Sequence, residues 1–136
     1  MKIKRFGVSL EEDLLKGLDV IAKRKNFPNR SQLIRFLIRK HLVEDAWKGD
    51  QEVSGAVVLI YDHHKRELIS KSVGIQHNFG SIILATQHIH LDHHNCLEII
   101  ALKGKASSLR GLADKLISLK GVKHGKLVMS ATAAAR

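Results

Sequence analysis

The sequence predicts an α+β protein of two small units, an N-terminal βαα unit followed by a βαββαβ domain. Apolar residues alternate over residues 5–10 and then recur at helical spacing in two segments that extend to residue 47. Polar and glycine-containing residues interrupt this pattern at 48–55. Six shorter segments follow, in the order strand, helix, strand, strand, helix, strand. These three observations define the fold class.

The first unit begins with a half-buried strand. The strand has one apolar face and one polar or small face, formed by Phe6, Val8 and Leu10 and by Arg5, Gly7 and Ser9. Ser9 and Glu12 fit a capping box, which predicts the start of a first helix. Pro28 ends that helix, and Asn29 or Ser31 is expected to cap a second one.

A second copy of the chain is expected to pair with this strand, because a single short strand leaves its backbone groups unpaired. Two antiparallel copies would rest the apolar face on the helices and expose the other face as a ribbon that fits a DNA major groove. This order of elements resembles the ribbon-helix-helix DNA-binding family. The resemblance implies that the strand contacts bases and that the second helix holds a phosphate, through Arg5, Gly7, Ser9, Asn29, Arg30 and Ser31. The plainer alternative to DNA contact is that the basic residues at the N-terminus are simply exposed to solvent.

The second unit is predicted to have a ferredoxin-like arrangement, a four-stranded antiparallel sheet with two helices on one face. The predicted strands are 54–61, 81–92, 96–103 and 124–130, and the predicted helices are 65–76 and 105–119. The free face of such a sheet can pack on a second copy or build a ligand site. The expected domain limits are therefore 1–47, a linker 48–52, and 53–136.

The chain is basic and carries a single cysteine. Its 136 residues include 23 Lys and Arg against 13 Asp and Glu, a formal net charge of +10, which favours nucleic acid or an anionic membrane surface as partner. One cysteine excludes an internal disulfide, and no stretch resembles a signal peptide or membrane span, so a cytoplasmic protein is expected. The sequence lacks Gly-rich phosphate loops, Ser/His/Asp sets and paired carboxylate motifs, which argues against an enzyme.

Histidines concentrate in the second unit and predict a metal site. Five of the nine lie between residues 77 and 94. On one strand, His88 and His90 would project from the same face, about 6.8 Å apart. A short hairpin would bring the sulfur of Cys96 beside them. Two imidazoles and one thiolate lack a fourth ligand, for which His77 is the natural candidate, from the same chain or a neighbouring one.

Alternatives remain open for these residues. Strand histidines are often ordinary surface residues, and Cys96 can be an inert core residue. The donors fit zinc, copper, nickel, cobalt or iron; a square plane would suit nickel(II) or copper(II), and a tetrahedron would suit zinc. The remaining histidines of this unit are expected at the surface or behind the ligands, and they are His63, His64, His93, His94 and His124.

Together, the two halves resemble the nickel-responsive transcriptional regulator family (NikR) over essentially the whole chain. The resemblance is carried by the βαα unit and by Gln76-His77, His88-Ile89-His90 and Cys96-Leu97-Glu98. It implies a homotetramer, a dimer of dimers, with an ACT-like core. It also implies one Ni(II) per chain in a square plane, held by His88, His90 and Cys96 of one chain and His77 of another. In the family, the metal-loaded form binds operator DNA as a repressor.

This sequence departs from the family pattern at two places and matches it at one more, and these positions concern DNA and cation binding. Lys65 and Arg66 match a basic pair that contacts the DNA backbone in the family, although a solvated helix start would look the same. Gln32 and Phe36 stand where some members carry acids that hold a second cation, which argues against that cation site here. Gly7 removes one potential base contact from each chain.

Two competing functions follow from the residues alone. A metal-independent ribbon-helix-helix regulator would use its C-terminal sheet to bind an amino acid or a protein. A metalloenzyme or metal-trafficking protein is disfavoured, because four ligands leave no open coordination position and no general base accompanies them.

Overall fold

The computed structural model describes residues 2–132, which contain four helices and four strands. The helices are α1 (Glu12–Arg24), α2 (Arg30–Lys48), α3 (Arg66–Asn78) and α4 (Ala106–Ile117). The strands are β1 (Glu52–Tyr61), β2 (Ile83–His90), β3 (Cys96–Lys105) and β4 (Val122–Ser130), and a 3-10 turn (Gly80–Ile82) precedes β2. By contacts, the chain divides into one compact unit that ends at Lys40 and another that begins at His41.

The N-terminal segment of the first unit, where the sequence predicts a strand over residues 5–10, has no strand pairing in the single chain. Residues 2–11 have no regular secondary structure in the single chain. The apolar side chains of the predicted strand face are exposed, with Phe6 at 74%, Val8 at 62% and Leu10 at 41%. A lone strand has no neighbour with which to form a ladder, so the pairing with a second copy stays a prediction.

The two helices of the first unit begin in different ways. No side chain of the described residues caps α1. The predicted capping box is wrong, because Glu12 is the first helical residue and Ser9 therefore lies outside the cap position. At α2, Asn29 Oδ1 accepts a 2.9 Å hydrogen bond from the backbone N–H of Gln32. Asn29, rather than Ser31, is thus the cap of the second helix.

The second unit confirms the ferredoxin-like arrangement. Its sheet has the strand order β2-β3-β1-β4, and all three pairings are antiparallel. β2 is shorter than the predicted strand 81–92, because Asp92 begins the hairpin turn to β3. The Asp92 carboxylate accepts hydrogen bonds of 2.8 Å from the backbone N–H groups of His94 and Asn95. These bonds fix the turn that separates the two strands.

Helices α3 and α4 cover one face of the sheet. The buried side chains alternate along the central strands, and they are Val53, Val57, Leu59 and Tyr61 on β1 and Cys96, Glu98, Ile100 and Leu102 on β3. α4 contributes Leu109, Leu112 and Leu116 to the same core. The intervening apolar residues on the other face, which include Val58, Ile60, Leu97 and Ile99, are only partly covered. This leaves an open apolar face, as the strand alternation predicts.

Residues 48–52, the predicted linker, form an ordered turn within the second unit. The backbone N–H of Ser107, in the first turn of α4, donates a 2.7 Å hydrogen bond to Asp50 Oδ1. Trp47 is 1% exposed, and its indole N–H donates a 3.0 Å hydrogen bond to the Ser130 carbonyl. The contact boundary therefore falls inside α2, because the last turns of this helix belong to the second core. The functional division at 1–47 and 53–136 stays a prediction.

Candidate metal centre

The predicted metal ligands of β2 and β3 lie at one end of the sheet. Cross-strand pairing sets His90 opposite Cys96 and His88 opposite Glu98. On the other side of β3, Tyr61 is the register partner of Cys96. Since side chains two residues apart share a face, His88 and His90 project to the same side as the buried thiol. His77 is exposed and lies in the last turn of α3.

These donors do not converge on one point in the single chain. Among residues 2–132, none of them belongs to a group of three donors whose ligand atoms all lie within 4.8 Å of one another. The side chain of His88 is 57% exposed, whereas Cys96 is 2% exposed. The ring of His90 stacks on His63, with centroids 4.4 Å apart and an interplanar angle of 5°.

A buried hydrogen-bond network lies beside His88. The Tyr61 hydroxyl donates a 2.7 Å hydrogen bond to Glu98 Oε1, and the Gln76 amide donates a 2.9 Å hydrogen bond to Glu98 Oε2. Gln76 also contacts the Ser72 hydroxyl at 3.0 Å. Both oxygens of the Glu98 carboxylate, which is 1% exposed, therefore have a partner. Burial, reinforced by the bond to Glu98, raises the pKa of Tyr61 above its usual range, so the phenol stays neutral.

The same network positions the proton of a neutral His88 ring. The Tyr61 hydroxyl uses its hydrogen for Glu98, so its oxygen accepts in the 3.3 Å contact with Nδ1 of His88. A proton on Nδ1 leaves Nε2 with a free lone pair. Nε2 lies 3.7 Å from Glu98 Oε2, which is too long for a hydrogen bond. For a neutral His88 ring, this contact favours the tautomer whose Nε2 is free to bind a metal.

Residue spacing does not predict the hydrogen bonds behind the ligands. In the sequence, Gln76 and Glu98 are only neighbours of His77 and Cys96, and Tyr61 ends a predicted strand. Strand alternation puts the carboxylate of Glu98 on the same buried face as Cys96 and Ile100. A charged residue among buried apolar residues requires partners, and this is the signal that could have revealed the network.

A second group of donors lies among histidines that were expected to have no metal role. Asp62, His64 and His94 each offer one ligand atom, and these atoms all lie within 4.8 Å of one another. They belong to the turns that follow β1 and β2. The sequence signal is a repeated Asp-His-His tripeptide, at 62–64 and again at 92–94. Sequence spacing alone does not reveal that the two copies meet.

The predicted DNA contacts are all exposed, and one of them, Arg30, is paired with an acidic side chain. Nε and Nη2 of Arg30 each lie 2.9 Å from an oxygen of the Asp19 carboxylate. This hydrogen bonding lowers the pKa of Asp19 below its usual range. The exposed set is Arg5, Gly7, Ser9, Asn29, Arg30, Ser31, Lys65 and Arg66.

Comparison with protein families matches both halves of the chain. Residues 4–45 match the ribbon-helix-helix protein, copG family, and residues 54–130 match the NikR C terminal nickel binding domain. A protein of Desulfovibrio desulfuricans is 51% identical over 130 residues, which cover 96% of this chain and 94% of that protein. A protein of Syntrophus aciditrophicus is 52% identical over 128 residues, which cover 94% and 93%. The names of both contain the words nickel-responsive regulator.

A solved structure supports the fold alone. An uncharacterized protein from Thermotoga maritima aligns with a TM-score of 0.53 and 18% sequence identity, and the alignment covers 58% of this chain and 98% of that one. None of the helices in residues 2–132 is long and apolar enough to cross a membrane. The two family matches and the near full-length relatives show that the chain belongs to the nickel-responsive regulator family, ribbon-helix-helix transcription regulators that are not enzymes.

Proposed function

We propose that this protein is a nickel-dependent repressor that binds operator DNA when Ni(II) occupies a site of His77, His88, His90 and Cys96. The supporting observation is the β2-β3 register, which sets two imidazoles and a buried thiol on one face at the end of the sheet. The names of the relatives indicate nickel as the metal. The N-terminal family match indicates DNA as the partner.

The donor chemistry fits nickel(II). Imidazole nitrogen and thiolate sulfur bind late first-row transition metals, whereas magnesium and calcium prefer oxygen. A bound Ni(II) would hold these side chains in one fixed arrangement. Tyr61 would keep Nε2 of His88 free for the ion, because its oxygen accepts from Nδ1. The exposed His77 is accessible to a neighbouring chain, which agrees with a site of one ion per chain completed across an interface.

Exposed apolar surface in both units supports assembly into a homotetramer. In the first unit, the strand residues Phe6 and Val8 are more than half exposed. In the second unit, one face of the sheet is open. Burying apolar surface contributes about 25 cal/mol per Å². We therefore propose that the N-terminal strands pair in a dimer and that the second units join two dimers.

The proposed DNA interface combines the paired strands with basic residues of both units. The paired strands would insert Arg5, Gly7 and Ser9 into the major groove, where an arginine can bond two acceptors of guanine. Backbone phosphates would be contacted by Asn29, Arg30, Ser31, Lys65 and Arg66. The net positive charge supports a role for both units. Residues 1–50 carry twelve basic and seven acidic residues, and residues 51–136 carry eleven basic and six acidic residues.

Coupling between metal and DNA would follow from a site shared by two chains. Metal occupancy then depends on the relative placement of those chains. By linkage, the bound metal favours the placement in which its ligands meet. Repression requires that this placement also suits the two half-sites of an operator.

The test measures operator binding with and without Ni(II), by fluorescence anisotropy, for the wild type, Cys96→Ala and His88→Ala. Both variants should lose the nickel-dependent gain in affinity and the thiolate-to-nickel absorption band. His124→Ala removes an exposed histidine of β4 and serves as the matched control. Full nickel dependence in both ligand variants would reject the site. Operator affinity that chelation leaves unchanged would favour the metal-independent regulator.

A further inference from the structure

We infer that Asp62, His64 and His94 form a second transition-metal site, separate from the proposed site of His77, His88, His90 and Cys96. One ligand atom from each of the three lies within 4.8 Å of the other two. Two donors on one ion, with bonds of about 2.0 to 2.2 Å, lie at most about 4.4 Å apart. Small side-chain rotations are therefore sufficient to bring all three onto one ion.

Two matching turns present these donors. β1 ends at Tyr61 and β2 ends at His90, at the end of the sheet where β3 begins. In the first turn, Asp62 Oδ1 accepts a 2.9 Å hydrogen bond from the backbone N–H of His64. In the second turn, Asp92 Oδ1 accepts a 2.8 Å hydrogen bond from the backbone N–H of His94. The same kind of hydrogen bond thus fixes both turns. The ring centroids of His64 and His94 lie 6.0 Å apart.

The carboxylate of Asp62 serves both the turn and the proposed site. Its Oδ1 lies 3.0 Å from Nδ1 of His64, so the carboxylate also orients this ring. A carboxylate is anionic at neutral pH. One carboxylate charge and two neutral imidazoles give a net charge that suits a divalent cation.

The donor set selects the class of ion. Two imidazoles and one carboxylate suit zinc(II), copper(II), nickel(II) and cobalt(II), whereas magnesium and calcium prefer sites made of oxygen alone. His64 and His94 are exposed, and three protein donors leave at least one position for water. The ion should therefore bind more weakly and exchange faster than one held by four donors. Once bound, it would tie the turn after β1 to the hairpin between β2 and β3.

This site lies within one chain and does not depend on the proposed function. The probe is Zn(II), and equilibrium dialysis at excess metal gives the number of ions bound per chain. We expect the double variant His64→Gln/His94→Gln to bind about one ion fewer than the wild type. His124→Gln, the matched control, should bind as many ions as the wild type. Asp62→Asn keeps an oxygen for the turn but removes the charge, and it should weaken Zn(II) binding at this site at least tenfold.

The same measurement in the background His88→Ala/Cys96→Ala separates the two sites. The ion that depends on His64 and His94 should still bind there. If it binds while nickel gives no thiolate absorption band in the wild type, the proposed function fails and the second site stands. A double variant that remains folded by circular dichroism and binds as much Zn(II) as the wild type would overturn the second site. An equal loss in His124→Gln would also overturn it.

Discussion

The hydroxyl of Tyr61 donates a 2.7 Å hydrogen bond to the carboxylate of Glu98, which is 1% exposed. The bond links β1 to β3, and Glu98 in turn faces His88 of β2 across the ladder. A buried carboxylate is costly unless its oxygens are paired, so the position of Glu98 depends on Tyr61 and Gln76. The hydrogen-bond network thus connects the sheet interior to a proposed metal ligand.

Tyr61→Phe tests whether this connection matters to metal binding. The ring remains, but Glu98 loses one donor and Nδ1 of His88 loses its acceptor. We expect the free energy of unfolding to fall by about 1 to 3 kcal/mol, measured by urea denaturation. We also expect the nickel affinity to fall about 10-fold or more, measured by competition with a chelator.

Ser72→Ala is the control for this substitution. It removes a partner of Gln76 at 3.0 Å but leaves the Tyr61 contacts with Glu98 and His88 intact. The control should lower stability without a comparable change in nickel affinity. Unaltered nickel affinity in Tyr61→Phe would show that Tyr61 has no part in orienting His88.

The sequence could predict the second unit because its signal is local. Alternating burial along β1 and β3 fixes the faces of the sheet, and the βαββαβ order leaves few topologies. The capping box failed for a different reason. A Ser and a Glu three residues apart are compatible with several helix starts, and here α1 begins at Glu12 itself. A local pattern therefore predicts the presence of a helix better than it predicts the residue at which the helix starts.

The candidate site was only partly predictable, because side-chain proximity depends on tertiary contacts. Spacing predicts correctly that His88, His90 and Cys96 share a face, as the register confirms. It does not predict that His90 stacks on His63 in the single chain. Nor does it reveal that two Asp-His-His turns, 62–64 and 92–94, meet at the end of the sheet. That meeting follows from the β1-β3-β2 strand order, which residue spacing does not contain.

Trp47 provides a test of how α2 joins the second core. It is the only tryptophan of the chain, and it is 1% exposed. Trp47→Ala removes a large buried ring and its bond to the Ser130 carbonyl, so we expect a loss of about 3 to 5 kcal/mol in the free energy of unfolding. His41→Ala, at a site 71% exposed on the same helix, should cost at most about 0.5 kcal/mol. Similar losses in the two variants would contradict the burial of Trp47 in this core.

Asp50 should make stability depend on pH. The hydrogen bond from the backbone N–H of Ser107 lowers the pKa of Asp50 in the folded chain. A lowered pKa stabilises the fold above the unfolded value of about 3.9, and this contribution is lost as pH falls through the folded value. The wild type should therefore unfold at a higher temperature than Asp50→Asn at neutral pH, and the difference should shrink below about pH 4.

Asparagine is the matched replacement at this position. The backbone of Asp50 has a φ of 51°, a left-handed conformation that asparagine adopts more readily than most residues. Asp50→Asn therefore changes charge without adding backbone strain. A difference in midpoint temperature that stays constant from neutral to acidic pH would show that the Asp50 charge contributes nothing.

The pair of Asp19 and Arg30 should restrain DNA binding in the first unit. Arg30 is bonded to both oxygens of Asp19, although it belongs to the proposed phosphate-binding end of α2. Asp19→Asn would release the guanidinium and remove a negative charge that repels phosphate. The two side chains are 55% and 51% exposed, so little stability should be lost with the pair. We expect operator affinity to rise a few-fold, with a dependence of log affinity on log salt that steepens by about one unit.

Anisotropy titrations at several salt concentrations, with Ni(II) saturating, measure both the operator affinity and its salt dependence. Asp13→Asn makes the same charge change elsewhere on α1, and an equal gain there would reduce the effect to net charge alone.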